Sequence, residues 1–159
     1  MENNKPLVSV IMNCYNSDTY LGEAINSVIS QTYKNWEIIF WDNQSTDKSA
    51  EIVKSYDDER IKYFYAPSFT SLYEARNYAI EKANGEYIAF LDCDDKWYNN
   101  KIEEQLKVLE NSEYNLCYSN FYNLYENKLK KAFSSIQPSG NIFKYQIANY
   151  SILASANDI

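Results

Sequence analysis

The sequence lacks histidine entirely, and it contains only three glycines among its 159 residues. Without histidine, neither Ser-His-Asp nor Cys-His catalysis can occur, and no histidine-ligated metal site can form. The glycines stand at Gly22, Gly85 and Gly140, so a GxGxxG dinucleotide loop and a GxxxxGK[ST] phosphate loop are both excluded. Several common families of hydrolases, zinc enzymes and nucleotide-binding proteins are thereby removed from consideration.

Cysteine and arginine are also scarce. The three cysteines, Cys14, Cys93 and Cys117, are far apart and form no CxxC pair, which fits a reducing compartment better than a disulfide framework. The only arginines are Arg60 and Arg76, and the net charge is −7, which argues against nucleic-acid binding through phosphate neutralisation. No long apolar run predicts a signal peptide or a transmembrane helix. A cytoplasmic location is expected, and peripheral contact with the inner face of a membrane remains open.

Length and patterning predict one α/β domain over residues 1–159. The chain is 45% hydrophobic and 23% charged, as expected for a globular protein with a sizeable core. Apolar runs predict strands at 7–12, 36–41, 61–65 and 87–91. Apolar residues at helical spacing predict helices at 18–31, 46–55, 71–83 and 99–110. Four strand–helix alternations indicate a mostly parallel sheet flanked by helices.

The pattern is weaker beyond residue 111. A strand is expected at 114–122, a second strand or a loop at 125–135, and a helix at 141–150. Within the third helix, Leu72, Ala75 and Ala79 are predicted to share the buried side. Asn84-Gly85 is predicted to end that helix by supplying a residue in the left-handed conformation.

A cluster of carboxylates follows the fourth predicted strand. Asp92, Asp94 and Asp95 come directly after the apolar run at 87–91, and no basic residue intervenes before Lys96. Carboxylates this close repel one another unless solvent or a cation neutralises them. Carboxylate oxygens without thiolate or imidazole suit a hard ion such as Mg²⁺ or Mn²⁺. The alternative is a polar loop in which Asp94 or Asp95 caps the next helix.

Polar residues also follow the first two predicted strands, at residues 13–16 and at Asp42. The carboxyl ends of parallel strands form the usual ligand crevice of an open α/β sheet. In such a crevice Tyr15 could stack on a planar ring, Asp42 could accept a hydrogen bond, and Arg76 could pair with a phosphate or a carboxylate. Alternatively, Tyr15 packs, Asp42 is a turn residue, and Arg76 forms a surface ion pair worth roughly 0–1 kcal/mol.

Five segments in series resemble the nucleotide-binding half of the inverting, family 2 glycosyltransferases. They are VSVIMNCYN at 8–16, LGEAINSVISQTY at 21–33, WEIIFWDNQSTD at 36–47, EARN at 74–77 and GEYIAFLDCDD at 85–95. The resemblance covers about residues 7–110 and implies a Rossmann-like GT-A fold. It also implies transfer of a sugar from a nucleotide-diphosphate sugar, usually UDP-linked, to an acceptor hydroxyl in surface glycan synthesis.

The resemblance implies roles for particular residues. Nucleotide contacts fall on Asn13, Cys14, Tyr15, Asn16, Asp42, Arg76, Asp92 and Cys93. A divalent metal, Mg²⁺ or Mn²⁺, is expected at Asp92, Asp94 and Asp95, where the family carries its DxD motif. The implied partners are the donor and a glycan or lipid-linked acceptor.

The chain departs from the family in three places. Asn13-Cys14 stands where Pro-Thr is usual, and Asn43-Gln44 stands where Asp-Gly is usual. Family members also continue well beyond residue 159, and their acceptor half supplies the catalytic base, often in a Glu-Asp motif that has no match here. Residues 111–159 are therefore expected to be a truncated acceptor-side portion that lacks the base. The alternatives to an active transferase are a non-catalytic nucleotide-sugar-binding module and a phospho-acceptor signalling domain. The latter needs an acidic pair after the first strand, where Asn13-Cys14 stands instead.

Overall fold

A computed structural model describes residues 5–125, 128–134 and 152–155 of the chain. The first 110 residues alternate strands and helices, as the apolar patterning predicts. In order, the elements are β1 Val8–Cys14, α1 Asp18–Ile29, β2 Trp36–Asp42, α2 Ser49–Lys54, β3 Ile61–Tyr65, α3 Leu72–Ile80, β4 Tyr87–Phe90 and α4 Lys101–Glu110. They are followed by β5 Leu116–Tyr118, β6 Tyr122–Tyr125, β7 Lys128–Lys131 and β8 Ile152–Ser155.

A six-stranded sheet has the order β3-β2-β1-β4-β8-β5. The first four strands run parallel, whereas β8 pairs antiparallel with both β4 and β5. The predicted mostly parallel sheet is therefore confirmed. Because β1 lies between β2 and β4, the carboxyl ends of these three strands meet at one edge of the sheet.

The core occupies both faces of the central strands. Every residue of β2 is buried, and all of β1 is buried apart from Asn13, which is half-buried. Alternate residues of β1 serve different layers: Val10 packs in the cluster that includes residues of α1 and α4, and Ile11 in the cluster that includes residues of α3. This two-sided cover explains why the strands read as nearly continuous apolar runs.

Gly85 does not end α3 in the way that the sequence predicts. The helix stops at Ile80, Glu81 keeps right-handed angles, and neither Asn84 nor Gly85 adopts the left-handed conformation. A Cβ at Gly85 would instead lie 2.6 Å from the Ser9 backbone nitrogen. The Gly85 N–H donates to Ser9 Oγ at 2.8 Å. Glycine is needed here because two backbone segments approach closely, not because the helix requires a left-handed cap.

The later elements depart from the predicted bounds. The strand expected at 114–122 is shorter, at Leu116–Tyr118. The region 125–135 contributes to an antiparallel hairpin in which β6 pairs with β7. The helix predicted at 141–150 lies outside the described residues. No helix in the described part of the chain is long and apolar enough to cross a membrane.

Candidate functional site

A pocket of about 410 Å³ opens at the sheet edge where β1 and β4 end. Five residues predicted from sequence line it together: Asn13, Tyr15, Asp92, Cys93 and Asp94. The wall is completed by Ser17, Thr19, Tyr20 and Leu72. The pocket therefore joins an aromatic side chain from the loop after β1 to the carboxylates that follow β4.

Among the residues that the structure describes, one basic side chain pairs with the acids of the loop after β4. The Arg76 guanidinium, carried by α3, donates to Asp92 Oδ1 at 2.8 Å. A phosphate or a carboxylate was the expected partner of Arg76, and in the structure it is a carboxylate. Both side chains remain partly exposed, so the pair contributes about 0–1 kcal/mol to stability. Such a weak contact leaves both groups available to a ligand.

The pKa of Asp95 is raised above its ordinary value. Partial burial of the carboxyl is the largest cause, and the negative charges of Asp92 and Asp94 add to it. Three carboxyl groups thus share one loop with a net excess of negative charge. A cation bound here would relieve that repulsion.

The carboxylates after β4 do not form a complete metal site by themselves. Among the residues that the structure describes, no group of three or more acidic or thiol side chains is arranged as a metal cluster. Asp92 and Asp94 nevertheless both line the pocket. Mg²⁺ is commonly held by one or two carboxylates together with substrate phosphates and water. The residues therefore fit an ion that binds jointly with a phosphorylated ligand, rather than a site made by protein ligands alone.

Asp42 is placed differently from the acids after β4. Its side chain is fully buried at the end of β2 and does not line the pocket. Asp42 Oδ1 accepts the Ser45 N–H at 2.7 Å, and Oδ2 accepts the Tyr63 hydroxyl at 2.6 Å. Each of its oxygens thus has a protein donor, and any role toward a ligand would use a remaining lone pair.

Asn16 holds the loop after β1 against the loop after β2. Its Oδ1 accepts the Thr46 N–H at 2.7 Å, and its own N–H donates to Ser45 Oγ at 3.1 Å. Asn16 has a φ of 49°, a left-handed conformation that asparagine tolerates better than most residues. Asn16 does not line the pocket, but it holds the loop that carries Tyr15.

Cys14 and Cys93 interact with each other at the pocket wall, where Cys93 is a lining residue, and both are buried. A hydrogen bond with Cys93 is the largest cause that lowers the pKa of Cys14 to about 6, although burial opposes it and nearby serine hydroxyls assist it. The pKa of Cys93 is raised by that same hydrogen bond, by burial and by the charges on Cys14, Asp92 and Asp94. A thiol whose pKa is raised is a poor nucleophile near neutral pH.

The Asn13 amide is an unsatisfied group at the pocket. Both its Nδ2 and its Oδ1 are shielded from solvent, and neither has a hydrogen-bond partner among the described residues. A buried amide without partners costs free energy that a ligand with matching donors and acceptors would recover.

Sequence reasoning missed part of the pocket wall. Leu72 was assigned to the buried side of its helix, but 56% of its surface is exposed and it lines the pocket. As the first residue of α3, Leu72 lies at the sheet edge, where helical spacing no longer predicts burial. Tyr20 is similarly exposed. It lies outside the apolar stripe of α1, and this position could have predicted that its ring faces solvent.

A second depression, of about 630 Å³, is formed by residues 110–114 at the end of α4. Glu110 acts electrostatically on Tyr87, the first residue of β4, so this depression lies toward the opposite end of that strand. A single stretch of chain lines it, and no converging functional groups mark it as a candidate site.

Comparison with known proteins points in one direction. The sequence model of the family described as "Glycosyl transferase family 2" matches residues 9–154. A putative teichuronic acid biosynthesis glycosyltransferase, TuaG of Bacillus subtilis, is 44% identical over 111 residues, which cover 69% of this chain and 44% of that protein. WfgD of Escherichia coli, named as a UDP-Glc:alpha-D-GlcNAc-diphosphoundecaprenol beta-1,3-glucosyltransferase, is 36% identical over 131 residues, 82% of this chain and 52% of its own.

Solved structures agree on the fold. Residues 1–349 of TarS from S. aureus, in complex with UDP-GlcNAc, superimpose with a TM-score of 0.79 at 21% identity, covering 96% of this chain and 47% of that one. At this level of sequence identity, the match shows that the fold is shared and nothing about ligands. The chain spans about half the length of the curated relatives that it matches.

Proposed function

Because the chain belongs to glycosyltransferase family 2, we propose that its pocket binds the nucleotide diphosphate of a UDP-linked sugar donor. The reaction proposed is transfer of that sugar to an acceptor hydroxyl in surface glycan synthesis. The observation that carries the proposal is the single pocket shared by Tyr15 and the carboxylates of Asp92 and Asp94. An aromatic ring suits a nucleobase, and the carboxylates suit a cation that neutralises a pyrophosphate.

Each residue set has a distinct part in this proposal. Tyr15 offers a face to the base, Asn13 offers a buried amide, and Cys93 forms part of the wall. Cys14 and Asn16 do not line the pocket and support the residues that do. Asp42 orders the loop after β2 through its hydrogen bonds to Ser45 and Tyr63, and any contact to the base would use a remaining lone pair. Arg76 and Asp92 exchange their mutual contact for contacts to the nucleotide, which the weak ion pair permits.

Asp92 and Asp94, with Asp95 beside them, would hold the divalent ion, Mg²⁺ or Mn²⁺. When bound, such an ion neutralises the negative charge that develops on the departing nucleotide diphosphate. The chain's own contribution is a loop already crowded with negative charge, as the raised pKa of Asp95 indicates. A cation entering this loop replaces repulsion with coordination, so its binding and that of the pyrophosphate support each other.

Attack by the acceptor hydroxyl requires a carboxylate base, and no residue of this chain is assigned that role. The acceptor is proposed to be a glycan or a lipid-linked sugar, consistent with the diphosphoundecaprenol acceptor in the name of the relative WfgD. The reaction is proposed to occur on the cytoplasmic side, at the inner face of the membrane.

The β6–β7 hairpin supports peripheral contact with a membrane. Leu124 and Leu129 stand directly opposite each other and are 66% and 62% exposed. Lys128, Lys130 and Lys131 add positive charge to the same hairpin, in a chain whose net charge is −7. Paired exposed leucines with adjacent lysines match the chemistry of an anionic lipid bilayer.

Vesicle co-sedimentation tests the membrane contact. Binding to vesicles containing phosphatidylglycerol is expected to exceed binding to pure phosphatidylcholine and to fall in Lys130→Glu. Lys34→Glu, at an exposed lysine outside the hairpin, is the control and should retain more binding. Equal binding to both lipids, or equal loss in both variants, would contradict the role of the hairpin.

Isothermal titration with UDP, with and without Mn²⁺, tests the donor site. The wild-type chain is expected to bind UDP at least about tenfold more tightly with Mn²⁺, and Asp94→Asn should remove most of that gain. Asp57→Asn, at an exposed acid in the loop between α2 and β3, should behave as wild type. Absence of any metal-dependent UDP binding would overturn the proposal. Binding without donor turnover would assign a binding role to this part of the chain, with transfer depending on residues outside it.

A further inference from the structure

Two exposed aromatic side chains from different loops meet beside the pocket. Tyr15 follows β1, and Phe69 lies in the loop between β3 and α3. Their ring centroids are 4.8 Å apart with an interplanar angle of 62°, an edge-to-face contact. Both rings are more than half exposed, at 51% and 58%. Burial does not explain this pair, and exposed aromatic groups beside a cavity often mark a surface that a ligand covers.

The Phe69 loop is anchored one residue further along, at Thr70. The Asn43 amide, which is buried, donates from Nδ2 to the Thr70 carbonyl at 2.8 Å. Asn43 Oδ1 accepts both the Thr70 N–H and the Thr70 hydroxyl, each at 3.2 Å. These three hydrogen bonds use the donor and acceptor ends of one amide together, so they fix the loop in one orientation.

The start of the same loop is attached as well. The Ala66 N–H donates to the Asp42 carbonyl at 2.8 Å, and Gln44 Nε2 donates to the Ala66 carbonyl at 3.2 Å. The family that the sequence resembles usually has Asp-Gly where this chain has Asn43-Gln44. Neither an aspartate nor a glycine carries a side-chain amide donor, so the bonds from Asn43 Nδ2 and Gln44 Nε2 depend on the residues that distinguish this chain. An aspartate at position 43 would keep only the two bonds that Oδ1 accepts from Thr70.

We propose that Phe69 is a positioning residue for the recognition of a planar heterocycle, the nucleobase of the donor, and that it acts by holding the ring of Tyr15. The proposal rests on the function proposed above. A half-exposed tyrosine samples several side-chain orientations, and ordering it on binding costs affinity. Phe69 restricts Tyr15 before the ligand arrives, and Asn43 and Gln44 restrict Phe69 in turn. The affinity for the base therefore depends on a side chain that need not touch it.

Phe69→Ala separates this role from a general effect on the fold. Affinity is measured for UDP with Mn²⁺ and for pyrophosphate with Mn²⁺, which lacks the base and ribose. UDP binding is expected to weaken about fivefold. Pyrophosphate binding should change by less than about twofold, because no phosphate contact is altered. Phe69→Tyr keeps the ring and should restore UDP binding. Tyr114→Ala, at an exposed aromatic outside both loops, is the matched control.

A double-mutant cycle tests whether Phe69 acts through Tyr15. In a Tyr15→Ala background, Phe69→Ala is expected to produce no further loss of UDP affinity. Additive losses would overturn the positioning role, as would parallel losses of UDP and pyrophosphate affinity. Unchanged UDP binding in Phe69→Ala would overturn the proposal while leaving the donor site intact. Failure of the wild-type chain to bind UDP would instead refute the proposed function itself.

Discussion

Asp42 is the last residue of β2 and Asp94 follows β4 at the same edge of the sheet, yet their surroundings are opposite. Asp42 is fully buried, and each of its oxygens accepts a hydrogen bond from the protein. Asp94 is exposed, lines the pocket and adds to the charge that raises the pKa of Asp95. A buried carboxylate that accepts hydrogen bonds from the protein stabilises the fold. An exposed carboxylate that is repelled by neighbouring carboxylates is suited to binding a cation.

The largest expected effect is the loss of the buried acid. Asp42→Ala leaves the Ser45 N–H and the Tyr63 hydroxyl without their acceptor, and it is expected to reduce the free energy of unfolding by about 3 kcal/mol. Asp94→Ala should change it by less than about 0.5 kcal/mol. Urea denaturation followed by circular dichroism measures both. Similar losses of unfolding free energy in the two variants would contradict the different roles assigned to the two acids.

Asp94, which is expected to matter little for stability without ligand, should matter most for the stabilisation produced by bound ligand. At a hundredfold excess over Kd, UDP with Mn²⁺ should stabilise the wild-type chain by about 2.7 kcal/mol. Asp94→Asn should lose most of this shift in a thermal melt, although its stability without ligand is close to wild type. The control Asp57→Asn should keep the full shift. A variant at Asp94 that is still stabilised by Mn²⁺ and UDP would show that the exposed acids do not serve the ligand.

The loop that follows Asp42 offers a third test. Gln44 has a φ of 70°, a left-handed conformation in which a side chain costs about 1 kcal/mol relative to glycine. Both Gln44→Gly and Gln44→Ala remove the hydrogen bond to Ala66, but only the glycine relieves the backbone. Gln44→Gly is therefore expected to be more stable than Gln44→Ala by about 1 kcal/mol in urea denaturation. Equal stabilities would mean that the backbone angle carries no cost.

The smallest expected effect is the pH dependence due to Asp95. Its pKa in the folded state lies above the ordinary value of 3.8, so the folded state binds more protons than the unfolded state just above that pH. Stability due to this group therefore falls as the pH rises through that window. Asp95→Asn should be more stable than wild type at pH 7 by at most about 0.5 kcal/mol, because solvent still screens a carboxyl that is only partly buried. The difference should vanish below about pH 4 and shrink with saturating Mn²⁺ at pH 7.

The sequence predicts where the site lies better than it predicts the contacts within it. Parallel strands bring their carboxyl ends together, so Tyr15, Asp92 and Asp94 could be assigned to one edge from order alone. The burial of Asp42 depends on Tyr63, which reaches it from the neighbouring strand β3. Such a partner depends on strand pairing and cannot be read from local residues.

Predictions made from neighbouring residues alone were wrong about the role of Gly85 and the burial of Leu72. The role of Gly85 follows from the close approach of Ser9, far away in sequence, so turn chemistry gave the wrong reason for the glycine. Leu72 fits the apolar spacing of α3 but is exposed, because the helix begins at the margin of the sheet. Periodicity predicts which side of a helix faces inward, but not where the sheet beneath it ends.

The antiparallel strand β8 has a consequence for synthesis of the chain. β4, whose end carries the acidic loop, is bordered on one side by β1 and on the other by β8, with Tyr87 opposite Ser155. While the chain emerges from the ribosome, β1 through β3 can assemble early, but β4 keeps one open edge until residues 152–155 have left the exit tunnel. Until then that edge is exposed to mispairing with other nascent chains, so a translational pause before residue 152 would prolong the most aggregation-prone stage.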